Sequence, residues 1–335
     1  MVLVTGGTGL VGAHLLLELV QKNTCIRAIR RATSNLKNVE KVFSYYVEDA
    51  PELFQKIEWV TADLNNIPEL ENAFRNVTHV YHCAALISFD PNNYGLLSKI
   101  NTEGTANIVN LCIANNIKKI GYVSSIATLG KHPETMHVDE ETEWNPQNAN
   151  AYALTKYDAE MEVWRGTMEN VPAIIVNPGV ILGPGFWNSG SGILFTTVAK
   201  NRAYYPPGGT GFVTVNDVVK IMVRLMDSDI QNERFIAVGE NLTFKKILAD
   251  IAKTMNLKPP TKELKIWQLE ILWRLDWLKN LLTGSDRKLT KNNVRSLRQQ
   301  SIFETTKIEK MMDYTFEPLG DALQFCSKKF MEENG

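Results

Sequence analysis

Tyr152 and Lys156 stand four residues apart in a stretch that predicts a helix over residues 151–168, so phenol and ammonium share one face. Ser125 closes an apolar run one unit earlier. A chain with this many tyrosines and lysines holds ~0.7 such pairs by chance, so the spacing alone proves little. With Ser125, the pair fits proton transfer to or from a carbinol oxygen. A free phenol titrates near pH ~10, and work near neutrality needs a shift of about three units, roughly 4 kcal/mol. Lys156 favours the phenolate, and Ser125 would hydrogen-bond the substrate oxygen and hold it in place. The plain alternative is a surface helix pair and a strand-end cap.

Such chemistry also needs a hydride carrier. Residues 1–5 read as a buried strand that runs into Gly6-Gly7-Thr8-Gly9-Leu10-Val11-Gly12 and then an apolar helix. Tight turning and close approach to a pyrophosphate call for residues without Cβ, and a helix start offers free N–H groups to phosphates. The alternative is an ordinary strand-to-helix turn. A second strand, predicted over 25–29, runs on into Arg30 and Arg31, with no acid there. Sites that prefer NAD(H) place a carboxylate at this point, whereas guanidinium groups welcome a 2′-phosphate. NADP(H) is therefore the favoured cofactor and NAD(H) a possible one. The positive charge of an oxidised nicotinamide would add to that of Lys156, which can also reach ribose hydroxyls.

The elements that must position these residues alternate. Strands are expected at 56–60, 79–85, 120–125, 171–176 and 234–238, with helices at 68–74, 101–114 and 213–226. Sustained β-α alternation argues for an α/β fold, a doubly wound parallel sheet whose ligands bind beyond the carboxyl ends of the strands. Past Asn177 the texture changes, with Gly183-Pro184-Gly185 and Pro206-Pro207-Gly208-Gly209 marking loops. We expect a nucleotide-binding domain of residues 1–182 with 208–239, and a smaller, mostly helical C-terminal substrate lobe of 183–207 with 240–335. Residues 86–89, 129–132, Phe186, Trp187, Tyr204 and Tyr205 are candidates to line the substrate pocket.

The chain has 335 residues, 44% of them hydrophobic, and a net charge of -1. That length supports one large core plus an appended region, and the charge gives no general attraction to nucleic acid. A small molecule is the expected partner, and a homodimer is possible. Cys25, Cys83, Cys112 and Cys326 form no CxxC pair and are expected as reduced, buried thiols. With no metal spacing among the five histidines, no metal site is expected, and His79 and His82 are expected to pack rather than catalyse. The glycine loop begins within ten residues and leaves no room for a leader, so a cytoplasmic location is expected. The tryptophan-rich stretch 264–282 carries five charges and is a poor membrane span. Packing on the core or a lid over the pocket is the expected role, with a subunit contact or a lipid surface as alternatives.

The sequence resembles the extended short-chain dehydrogenases/reductases over nearly its whole length. The residues that carry the resemblance are Thr5 to Gly12, Asp63-Leu64, Cys83-Ala84-Ala85, Asn101 with Gly104-Thr105, and Val123-Ser124-Ser125. To these are added Tyr152 to Lys156, Asn177-Pro178-Gly179 with Gly183-Pro184-Gly185, and Val215 to Val219. The resemblance implies a Rossmann fold in which Ser125, Tyr152 and Lys156 are catalytic. It implies further that Gly6, Gly9 and Gly12 contact the pyrophosphate, Asp63 and Leu64 the adenine, and Ala84 and Ala85 the ribose region. Pro178, Gly179 and Val180 would border the nicotinamide, and Thr8, Leu10, Val11, Cys83 and Val123 complete the cofactor set.

The nearer kin look like dihydroflavonol-reductase-like and 3β-hydroxysteroid-dehydrogenase-like proteins. Ser125 is followed by Ile126-Ala127 rather than the Asp-Glu pair of sugar-nucleotide dehydratases, and Asn177 replaces an arginine common in relatives. The expectation is an oxidoreductase that interconverts a ketone and a secondary alcohol on a moderately apolar molecule. The rival is an NAD-dependent sugar-nucleotide 4-epimerase, with Arg202, Arg234 and Arg287 as candidate cations. A non-catalytic redox sensor on the same fold is a third reading.

Overall fold

A computed structural model describes residues 1–130, 136–285, 287 and 289–335. The apolar runs form seven strands, all paired in parallel, in the order Glu233–Ala237, Ala173–Pro178, Lys119–Val123, His79–His82, Val2–Thr5, Ile26–Arg30 and Glu58–Thr61. Every residue of Lys119–Val123 and Ala173–Pro178 is buried, because helices cover both faces of the sheet. On one face Leu15, Leu16 and Leu19 of Leu10–Gln21 and Ile221 and Met222 of Val215–Asp227 pack with Val4, Ala28 and Ile174. On the other, Ile108 and Val109 of Gly104–Ala114 and Ala159 and Val163 of Ala151–Met168 pack with Leu3, Val80 and Ile120. The expected doubly wound α/β architecture is therefore the observed one. The chain leaves Val2–Thr5 toward one edge and returns beside it as His79–His82, so the strand order reverses at the glycine loop, where such sheets bind ligands.

Several boundaries differ from expectation. The helix expected at 213 starts at Val215, because Phe212 to Thr214 still pair with Val180 to Leu182 and the Thr214 hydroxyl accepts from the Asp217 N–H at 2.9 Å. The helix expected at 101 begins earlier: Tyr94–Leu97 runs through a π-helical stretch, Ser98–Glu103, into Gly104–Ala114. The fourth strand ends at His82 and not at residue 85, so Cys83 to Ala85 leave the ladder at the sheet's carboxyl edge.

Beyond the main sheet, Val180–Leu182, Gly209–Thr214 and Glu240–Thr243 form a three-stranded sheet. Helices Gly192–Ala199, Phe244–Thr254 and Leu319–Asn334 share a separate core with it, built on Phe195, Phe212, Ile247, Ile251, Leu323 and Phe330. Trp187 and Tyr205 belong to this core, which corrects their assignment to a substrate pocket. Trp187 meets Phe195 and Phe330 edge-on and donates its indole N–H to Glu333 at 2.9 Å. Lys131 and His132, also candidates for the pocket, lie outside the described residues.

Two further expectations need correcting. Cys25 is exposed and Cys83 half-buried, since Cys25 precedes its strand instead of lying in it; all four thiols are free. The tryptophan-rich stretch is a helix, Ile266–Thr283, of which only Leu269 is buried, so it does not pack on the core by a broad apolar face. Among the described residues no helix is long and apolar enough to cross a membrane.

Candidate active site

The glycine loop is built by contacts that exclude side chains. Gly6 has φ +70°, and a Cβ there would lie 2.5 Å from the Ala84 amide nitrogen. At Gly12 a Cβ would come 2.1 Å from the Gly6 carbonyl oxygen, so the helix can start against the loop only with glycine. Gly9 differs: a Cβ would meet nothing in the protein nearer than 3.4 Å. The protein's own packing therefore does not demand glycine at position 9, where a bound group could come close to the backbone. Helix Leu10–Gln21 has neither a side-chain cap nor an acidic residue in its first turn, which leaves its positive end suited to an anion. Thr8, Leu10 and Val11 are half-buried around this end.

Arg30 ends the second strand, and its Nε is buried without a hydrogen-bond partner. Arg287 and Arg298 also bury an Nε without a partner, but that of Arg30 stands at the carboxyl end of a strand beside the glycine-loop strand, where it fits an anionic ligand group. Arg31 is exposed, and its backbone N–H donates to Ser34 Oγ at 3.1 Å. Asp63 is exposed beyond the third strand, its carboxylate accepting from the Asn65 N–H at 2.9 Å. The Leu64 side chain lies where a Cβ on Gly104 would touch it at 3.1 Å. Cys83, half-buried Ala84 and exposed Ala85 follow the fourth strand, next to Gly6. Buried Pro178 ends the sixth strand, the Gly179 N–H donates to the Ala237 carbonyl at 3.0 Å, and Val180 enters the small sheet. The proposed cofactor residues thus line the carboxyl edge of the sheet. They fit a dinucleotide: a cradle that a Cβ would fill, a free helix start and an unsatisfied guanidinium nitrogen.

Tyr152 lies in the first turn of helix Ala151–Met168, whose start is capped by the Asn150 side chain accepting from Ala153 N–H at 2.8 Å. Ser125 follows strand Lys119–Val123 and caps a short 3-10 turn, its Oγ accepting from Ala127 N–H at 3.1 Å. Burial pushes the Tyr152 phenol up to about 12, opposite to the downward shift expected, and the nearby Ser125 hydroxyl acts to lower it. The Phe89 ring packs edge-on against Tyr152 at 5.8 Å.

Lys156 is fully buried, which was not expected of a lysine meant to tune Tyr152 and reach a ribose. Its Nζ donates to Tyr122 OH at 2.5 Å and to the carbonyl of Val123 at 2.9 Å, and lies 4.2 Å from the centre of the Tyr122 ring. Burial lowers its pKa to about 7, while the Glu160 carboxylate and the Cys83 thiol act to raise it.

Four residues have positioning roles that the sequence reading did not assign, although Asn101 and Asn177 stood among the motif residues. Glu160 is fully buried one turn beyond Lys156; its Oε2 accepts from Ser124 Oγ at 2.5 Å, Thr128 Oγ1 at 2.8 Å and Asn177 Nδ2 at 2.9 Å. Asn177 also donates to the Ser125 carbonyl at 3.2 Å, so it fixes the Ser125 turn from below and cannot serve as a substrate-anion contact. Asn101, in the π-helical stretch, exchanges hydrogen bonds with the backbone of Leu86 and donates to Thr155 Oγ1 at 3.2 Å. Tyr122 receives the Lys156 ammonium. For Glu160 the available signal was its i+4 spacing from Lys156. His82 is packed, bonded to Thr5 Oγ1 at 2.6 Å and Thr105 Oγ1 at 2.9 Å, with a pKa lowered by burial to about 3.

A doubly wound sheet with a glycine loop at its switch point and a serine, tyrosine and lysine beside it defines an NAD(P)-dependent enzyme of the extended short-chain dehydrogenase/reductase type. The model of the NAD dependent epimerase/dehydratase family matches residues 2–239. The chain belongs to that family. Dihydroflavonol 4-reductase of Gerbera hybrida is 25% identical over 269 residues, 75% of this chain and 71% of that protein. UDP-glucose 4-epimerase of Vibrio cholerae is 25% identical over 305 residues, 85% of this chain and 83% of that protein. The crystal structure of gox2253 superposes with a TM-score of 0.83 at 27% identity, over 100% of this chain and 98% of that one.

Proposed function

We propose that this enzyme reduces a ketone to a secondary alcohol, reversibly, on a moderately apolar small molecule, with NADP(H) favoured over NAD(H). The observation that carries the reading is the placing of Ser125 and Tyr152 together at the carboxyl edge of the sheet; a phenol there keeps its proton through the neutral range, and burial pushes its pKa further up. A protonated phenol is the group a carbonyl oxygen needs as it becomes an alcohol. Ser125 orients that oxygen, and Tyr152 gives it a proton. Lys156 supports the site from beneath through Tyr122 and the Val123 carbonyl. When bound, the nicotinamide supplies or takes the hydride. Arg30 and Arg31 would hold the 2′-phosphate, Asp63 and Leu64 the adenine, and Pro178 to Val180 would border the nicotinamide.

The 4-epimerase reading is weaker in this site. Its candidate cations are dispersed or committed: Arg234 is bonded to the Glu140 carbonyl and lies 3.4 Å from Glu160, Arg287 lies 3.9 Å from Asp276, and Arg202 is exposed. The division into residues 1–182 with 208–239 and 183–207 with 240–335, a cytoplasmic location, the absence of a nucleic-acid partner and a possible homodimer complete the reading.

A screen of carbonyl compounds with NADPH consumption as readout tests it. The purified protein should consume NADPH and release exchangeable cofactor; NAD that survives dialysis, with no carbonyl reduced, would favour the epimerase. Replacing Arg30 and Arg31 by alanine should weaken NADPH binding about tenfold or more and leave NADH binding nearly unchanged. Equal losses would remove the 2′-phosphate assignment.

A further inference from the structure

Helix Ile266–Thr283 is turned inside out. Its two acids face neighbouring residues: Glu270 Oε1 accepts from Arg298 at 3.0 Å and its Oε2 from the Trp273 indole at 2.9 Å, while Asp276 accepts from the Leu289 N–H at 3.1 Å. Asn280 donates to the Ser285 carbonyl at 2.8 Å. The opposite side, at helical spacing, presents Trp267, Ile271, Leu275, Leu278 and Leu282. These are exposed, from 44% for Leu278 to 59% for Trp267 and 75% for Leu282. An apolar stripe of this length left in water marks an interaction surface.

Charge selects the partner. Residues 258–298 hold ten lysines and arginines against four aspartates and glutamates, a local net charge of +6 in a chain whose total is -1. The two acids of the helix point inward, while Lys262 and Lys265 before it, Lys279 within it and Lys291 after it are exposed. We infer that this outward face rests on an anionic phospholipid bilayer, with Trp267, Ile271, Leu278 and Leu282 in the headgroup and acyl boundary and the lysines among the anionic headgroups. The helix lies on the membrane and does not span it. A second copy of the chain fits less well. Eighteen residues make a rod about 27 Å long and about 10 Å wide, on the order of 300 Å² per partner against about 800 Å² in a standard interface. A two-fold contact would also set each basic surface against its twin.

The helix is tied to the active-site mouth, since Asp90 accepts from the Arg287 N–H at 2.7 Å and Phe89, next to Asp90, packs on Tyr152. The surface is nevertheless independent of the proposed reaction, and its test reads binding alone. The full-length protein is sedimented with vesicles of phosphatidylcholine, with or without phosphatidylglycerol, at low and high salt. It should bind the anionic vesicles, release at high salt, and bind about tenfold more weakly after Trp267→Glu with Leu278→Glu, at an unchanged melting temperature. No sedimentation with either vesicle, or equal binding by the double variant, would overturn the inference. So would a stable dimer that the double variant turns into monomers, which would assign the face to a second copy.

Discussion

At the scale of single residues, Lys156 carries a cost that can be measured. Burial lowers its pKa from 10.5 to about 7, so between those values the unfolded chain binds more protons than the folded one. Stability must then rise with pH across that window, and the full penalty applies below about pH 7. Lys156→Met removes the effect. The stability of the wild type relative to this variant, from urea unfolding at about pH 7 and about pH 9.5, should increase by on the order of 3 kcal/mol. A difference that stays constant with pH would show that the ammonium is not held in the desolvated position described. Ser125, Tyr152 and Lys156 were legible because their types and spacing suit one reaction. Tyr122, Glu160 and Asn177 were not, because an ordinary aromatic, acid or amide acquires its role only from what packs across from it. Lys156 was thus expected to face Tyr152 directly, while the fold sets it against Tyr122.

At the scale of elements, the glycine loop separates two demands that the motif merges. Gly12 answers to the chain itself, 2.1 Å from the Gly6 carbonyl oxygen once a Cβ is added, whereas a Cβ on Gly9 would meet that oxygen only at 3.4 Å, an ordinary contact. Gly12→Ala should cost about 1–3 kcal/mol of stability and also impair cofactor binding. Gly9→Ala should keep the wild-type melting temperature yet lose about tenfold or more in NADPH affinity. Calorimetry of the two variants with and without cofactor checks this; equal melting losses would contradict it. The strands of the first half were legible because buried parallel strands read as short apolar runs, and most helices by their period, while helices Lys37–Ser44 and Ala50–Gln55 were not expected. Their ends were less so: Thr214 looks like a continuation of the following helix until its hydroxyl is seen to cap it. The π-helical stretch at Ser98–Glu103 leaves no compositional trace, although it carries Asn101 to Leu86 and Thr155.

At the scale of the whole molecule, the sheet brings the ends of six strands to one edge, and a second core stands beside them. The first core follows from alternation alone. The second does not, since Trp187 and Tyr205 read equally well as pocket lining or as core, and the choice is made by Phe195, Phe330 and Glu333 from distant segments. The helix Ile266–Thr283 inverted expectation for the same reason: composition announces an apolar face, and only the neighbours decide whether it turns inward. Reactive edge, helical lobe and basic apolar surface lie on one chain, and Asp90 and Phe89 link the last to the first.

The account rests on Tyr152 as the proton donor at a carbonyl carbon, and the most direct measurement is turnover of Tyr152→Phe beside its cofactor affinity. With a ketone reduced by the wild type, kcat should fall by about a thousandfold while the Kd for NADPH stays within about threefold. A variant that reduces the same ketone at the wild-type rate would contradict it.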